Sequence, residues 1–154
     1  MARFTAETTA TAVVPAGREE IWAILTDPDR LASLIPFLRR ITPDGEHWRW
    51  EMSGIDVLGL KVAPTFTEKM TFVDLERIDF RHDPPADASE RAAVEGWYVL
   101  EEADDGTRLS TGMEITLDLP LPALSRKAVV ATMKGVIGSM GDRFAANLLA
   151  ELGV

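Results

Sequence analysis

Apolar and polar residues alternate from the start of the chain. Between Phe4 and Val14, the residues Phe4, Ala6, Thr8, Ala10, Ala12 and Val14 share one face, and Thr5, Glu7, Thr9 and Thr11 the other. Period two with many threonines predicts a half-buried strand, ended by Pro15. The period then changes. Ile21, Trp22, Ile24 and Leu25 follow the acidic pair Glu19-Glu20, as in a helix whose first turn carries negative charge. Asp27-Pro28 supplies an N-cap and a first-turn proline for a second short helix bearing Leu31, Leu34 and Ile35, which Pro36 stops. Period two resumes. Trp48, Trp50 and Met52 oppose Arg49 and Glu51 behind a Pro43-Asp44-Gly45 turn. From Val62 to Phe72 one unbroken alternation sets Val62, Pro64, Phe66, Glu68, Met70 and Phe72 on one side, and Ile78 with Phe80 begins another strand. A loop from Pro84 to Arg91 precedes a hairpin of Val94–Leu100 and Leu109–Leu117, turned at Asp104-Asp105-Gly106. After Pro122, Val130, Met133, Ile137, Met140, Phe144, Leu148 and Leu152 recur at helical spacing, which predicts one helix of roughly 28 residues.

Six or seven hairpin-linked strands make a sheet with one wet and one apolar face. A single long helix covers that apolar face only if the sheet curls around it, giving an α+β fold. The inward residues are then both core and potential cavity wall. Several segments resemble the helix-grip fold of the START-like (SRPBCC) superfamily: Val14-Pro15-Ala16 leading to Ile21-Trp22, Leu25-Thr26-Asp27-Pro28, and Leu34-Ile35-Pro36. Gly106-Thr107-Arg108-Leu109, Lys134-Gly135-Val136 and Arg143-Phe144 extend the likeness to nearly the whole chain. The last helix also resembles that of the superfamily branch named for carbon-monoxide dehydrogenase. The resemblance implies a deep apolar pocket for a lipid, sterol or polyketide. Members include polyketide cyclase/dehydrase-like enzymes and lipid-transfer proteins, so the fold leaves activity open.

A length of 154 residues fits one domain, 1–154, at ~100–200 residues per domain. Sixteen Lys and Arg against 25 Asp and Glu leave a net charge of −9, which opposes nucleic acid and anionic membranes as generic partners. No local basic patch appears along the chain. The absence of cysteine removes disulfides, thiolate metal sites, iron–sulfur clusters and cysteine nucleophiles together. His47 and His82, without a His-x-x-x-His pair, argue against a zinc site, and no phosphate loop or other cofactor motif is present. No apolar run approaches the ~18–20 residues of a membrane span, so a cytoplasmic protein without stable membrane insertion is expected.

Glu68 is the most informative residue, because its register places a carboxylate between Phe66 and Met70 on an apolar face. Three readings compete. The favoured one pairs it with an inward arginine such as Arg39 or Arg40; the others let it reach water near a strand end or bulge, or make it a pocket carboxyl. Tyr98, the only tyrosine, lies on the face that the resemblance turns inward, and its plainer reading is a core phenol bonded to backbone. Thr111 shares a face with Met113 and could add a second polar group. His82 closes the Ile78–Phe80 face, more in the manner of a solvated strand end than of a base. Met52, Met70, Met113, Met133 and Met140 fall on inward faces, suiting an adaptable wall or plain core. Gly135, Gly138 and Gly141 each cost ~1 kcal/mol inside a helix. Close packing on the sheet is the preferred explanation, a locally soft helix the other.

The leading expectation is binding or carriage of a small, mostly apolar molecule. Its walls would be Trp50, Phe66, Met70, Tyr98, Met113, Met133, Ile137 and Met140, with Glu68, Tyr98 or Thr111 orienting a polar group. The alternative is a cofactor-independent cyclase/dehydrase acting on a polyketide-like carbonyl compound. There Glu68 is the acid/base, and Tyr98 or His82 steadies an enolate. A third class is an accessory protein. Ile55, Val57, Leu58 and Leu60, in a glycine-flanked connection, would then form a homodimer or partner contact rather than a lip over the pocket.

Overall fold

The computed structural model describes residues 2–154. Strand β1 (Ala2–Val14) leads through Pro15 into α1 (Arg18–Leu25) and α2 (Pro28–Leu34). The Asp27 carboxylate accepts hydrogen bonds from the Asp29 and Arg30 amides at 3.1 and 3.3 Å, the capping arrangement its position predicts. Seven strands follow: β2 (Leu38–Asp44), β3 (His47–Met52), β4 (Ile55–Val57), β5 (Leu60–Val62), β6 (Thr65–Val73), β7 (Arg77–His82) and β8 (Ala92–Ala103). Then come β9 (Gly106–Leu119), a 3₁₀ turn at Ala123–Ser125 and the long helix α3 (Arg126–Leu152).

The main sheet has seven antiparallel strands in the order β1-β9-β8-β7-β6-β3-β2. Its inner face and α3 form the α+β helix-grip architecture. The two halves of α3 are anchored differently. Val129, Met133 and Ile137 pack with Phe4, Ala6 and Leu119 at the first end, whereas Leu148 packs with Ile24 and Leu34 of the short helices at the other. The middle of the helix is left spanning the sheet.

Three details depart from the expected pattern. The apolar stripe of α3 begins at Val129, which is fully buried, and Val130 is only half-buried. The alternation from Val62 to Phe72 is not one strand. Pro64 lacks an amide proton for a central ladder, so the chain breaks there into β5 and β6. Gly135, Gly138 and Gly141 are exposed, and a methyl group at any of them would meet nothing within 4 Å. Close helix–sheet packing therefore does not explain them; they point away from the sheet.

Strands β4 and β5 pair only with each other, turning at Leu58-Gly59 with φ of 50° and 81°. Two consecutive residues in the left-handed region mark a tight hairpin turn, for which the glycine is suited. Strand β7 is short and pairs with β8 only from Arg77 to Phe80. Beyond it the sheet carries a notch between the start of β6 and the start of β8, filled by residues 83–91. The Glu90 carboxylate stands in for the missing strand, accepting from the Thr67 amide at 2.8 Å and the Thr67 hydroxyl at 2.7 Å.

Candidate functional site

A cavity of about 150 Å³ lies between the inner face of the sheet, the middle of α3 and the β4–β5 hairpin. Of the residues expected on its wall, Trp50, Phe66, Glu68, Tyr98, Met113, Met133, Ile137 and Met140 line it. Met70 and Thr111 do not. Met70 is buried in the core beyond Glu68, and the Thr111 hydroxyl is directed to the Trp97 carbonyl at 3.1 Å. Further lining comes from Met52, Phe80, Val94, Ile115 and Leu117, which strand parity alone would have assigned to the same face. Ile35, Ile55, Val57, Val62, Pro64, Ala92 and Val136 also contribute. The hairpin residues and Ile35 come from segments that leave the main sheet, where parity carries no information.

Three polar groups interrupt this apolar wall. Glu68 is 1% exposed, and its Oε2 has no hydrogen-bond partner. The expected pairing with Arg39 or Arg40 is absent: both are exposed, and the Arg40 guanidinium is bonded to Glu51. An irregularity in the β2–β3 register between Leu38 and Arg40 explains this, because a bulge puts two successive side chains outside the ladder's alternation. Nor is Glu68 exposed as a strand-end residue would be. Burial pushes its carboxyl well above the ordinary range, and the negative charge of Glu95 adds to the effect. Glu68 thus holds its proton more tightly than an ordinary glutamate does, and in its protonated form the carboxyl donates as well as accepts.

The Tyr98 hydroxyl makes no hydrogen bond among the described residues. Burial raises its pKa, and the charge of Glu68, when that carboxyl is ionised, raises it further, so the phenol stays protonated. Trp50 stacks on Phe66 with ring centroids 5.9 Å apart and planes 12° from parallel, yet its buried indole N–H has no acceptor. An unmet buried polar group costs ~1–3 kcal/mol. Glu68 and Trp50 thus bring two buried, unmet polar atoms to the residues that line the void, and a partly polar ligand could satisfy them.

His82 lies elsewhere. It is half-buried, with its ring Nε2 2.9 Å from Glu90, and it does not line the cavity. His47 is 2.8 Å from Asp83 at the surface. Ile55 and Val57 line the cavity, Leu60 packs beside Val57, and Leu58 alone of that set is exposed. The β4–β5 hairpin is therefore a wall of the cavity. Among the described residues no cluster of three or more metal-ligating side chains is gathered, and no helix is long and apolar enough to cross a membrane.

Solved structures share this architecture. A conserved protein from Geobacillus kaustophilus superposes with a TM-score of 0.74 at 15% identity, the match covering 96% of this chain and 95% of that one. The Zhui aromatase/cyclase from Streptomyces sp. R1128 gives 0.67 at 15% identity, covering 97% and 93%. A START superfamily protein from Mycobacterium smegmatis gives 0.65 at 15% identity, covering 94% and 95%. At these identities the likeness concerns the fold. No curated protein matches the chain in sequence. The family model for polyketide cyclase/dehydrase and lipid transport matches residues 5–152, and with the helix-grip architecture around an apolar cavity this places the chain in that family of the START-like superfamily.

Proposed function

We propose that the protein binds and carries a small, mostly apolar molecule in the cavity beneath α3. One observation carries this reading: an apolar void retains a buried, unpartnered Glu68 carboxyl that folding alone would disfavour. Apolar burial supplies affinity at ~25 cal/mol/Å², and the polar groups supply orientation. Neutral Glu68 and Tyr98 would donate to a carbonyl or hydroxyl oxygen of the ligand, and the Trp50 N–H would offer a third donor. A void near 150 Å³ matches a single ring or short chain, below the ~300–1,000 Å³ of common ligand pockets. A polyketide of several rings would require the β4–β5 hairpin to move outward.

Native mass spectrometry of the purified protein is the direct test, followed by thermal unfolding with small aromatics and medium-chain alcohols. A ligand at about 100-fold excess over its Kd should add ~2.7 kcal/mol, raising Tm by about 5–10 °C in a chain of this size. No copurifying molecule and no shift with any added compound would remove the proposal.

A second reading is supported by the juxtaposition of Glu68 and Tyr98. A cofactor-independent cyclase/dehydrase would use Glu68 in its ionised form, whose raised pKa makes it a stronger base, to take a proton α to a carbonyl, while the Tyr98 hydroxyl donates a hydrogen bond to the developing enolate oxygen. His82, tied to Glu90 away from the cavity, has no part in it. Glu68→Gln with intact fold and unchanged turnover on an identified substrate would end this version. A protein partner at the hairpin would have Leu58 as its one exposed contact of the four considered, a small anchor for a stable interface.

A further inference from the structure

The notch at the end of β7 opens onto a second concavity. A groove of about 680 Å³ runs along the outside of the sheet, bounded by β5 and the start of β6, residues 85–91 and the end of β9. Three cations from distant parts of the chain line it: Arg49, Lys61 and Arg91. All are exposed, and none is within ion-pair distance of a carboxylate among the described residues. Glu90 and Asp118 also face the groove, but both are engaged. Glu90 is held by Thr67 and His82, and Asp118 pairs with Arg3 at 3.1 Å. In a chain of net charge −9, this is a local reversal of sign that no run of sequence reveals.

The groove borders the cavity. Val62, Pro64 and Leu117 belong to the walls of both. The cavity is unsuited to an anion, since its wall holds the Glu68 carboxyl and no lysine, arginine or histidine. A ligand with a charged acidic end must leave that end outside, and the bordering groove offers three cations to receive it. We propose that the groove is a subsite for the anionic head, a carboxylate or phosphate monoester, of an amphiphile whose apolar body occupies the cavity.

This proposal rests on the cavity being a ligand site, and titration calorimetry with octanol, octanoate and octyl phosphate at pH 8 separates the two ideas. The anions should bind about tenfold or more tightly than octanol at low salt, the advantage shrinking as salt screens the cations. Arg49→Gln, Lys61→Gln and Arg91→Gln combined should abolish the advantage and leave octanol affinity unchanged. These side chains are exposed, and the wild-type comparison of acid with alcohol stands whether or not the variant folds. Octanol binding as tightly as both anions, or an advantage that persists in the combined variant, would overturn the subsite and leave the cavity reading intact. Failure of all three compounds to bind would overturn both.

Discussion

Glu68 couples the stability of the fold to pH, because its carboxyl must be either protonated or buried as an unpartnered charge. Its folded-state pKa is raised, so the folded chain holds the proton more tightly than the unfolded one. The penalty is absent below the unfolded carboxylate range and grows as pH rises from there through the raised folded value. Glu68→Gln is expected to remove this part of the pH slope. Urea unfolding from pH 4 to pH 9 should show variant and parent diverging steadily upward in pH, the variant being more stable at the alkaline end. Parallel profiles would mean the carboxyl finds a partner. Gly96 makes the opposite kind of demand. A methyl group there would collide with the Gly112 carbonyl oxygen and lie 2.8 Å from the Phe80 ring, which covers this glycine beside the cavity. Gly96→Ala is expected to cost ~1–3 kcal/mol by overpacking, read from the same unfolding experiment.

At the scale of elements, α3 is the component whose sequence least resembles an optimised version of itself. Three exposed glycines sit in the stretch whose other face presents Met133, Val136, Ile137 and Met140 to the cavity. Alanine at each should stabilise by ~1 kcal/mol, and roughly 3 kcal/mol together if additive. A triple variant no more stable than its parent would show that the glycines relieve a strain. If they instead soften the helix to admit ligand, the stabilised variant should also release bound octanol more slowly in stopped-flow exchange. Strands and helices were legible because period two and period 3.6 are written directly in the chain, down to the Asp27 cap. Inward placement of Glu68 followed from the same parity. Its isolation did not, because whether Arg39 or Arg40 reaches it depends on a register irregularity in β2 that residue types do not encode. The fate of Ile55, Val57 and Leu60 was equally hidden, since β4 and β5 leave the main sheet and only tertiary packing decides which way they face.

Across the whole molecule, the acidic excess is not spread evenly. Glu7, Glu114 and Glu95 stand directly opposite one another on β1, β9 and β8, a row of like charges on the outer face of the sheet. The Glu114 carboxyl is pushed up first by the close approach of the Glu7 carboxyl, then by desolvation and by the charges of Glu7 and Glu95. Glu95 also raises Glu68 and accepts a hydrogen bond from the His82 amide at 3.3 Å. It therefore belongs electrostatically to both faces: one exposed carboxylate helps keep the cavity acid neutral through the thickness of the sheet. Glu95→Gln should lower the pH at which Glu68 loses its proton, though burial still holds that value above normal. The folded-state pKa then approaches the unfolded one, so the variant should be more stable than its parent near neutrality and converge with it in acid. In a Glu68→Gln background the same substitution should have a smaller effect, confined to the outer row and weakened by salt. An equal effect in both backgrounds would show that the influence of Glu95 stops at the outer surface, leaving burial alone to set the state of the cavity acid.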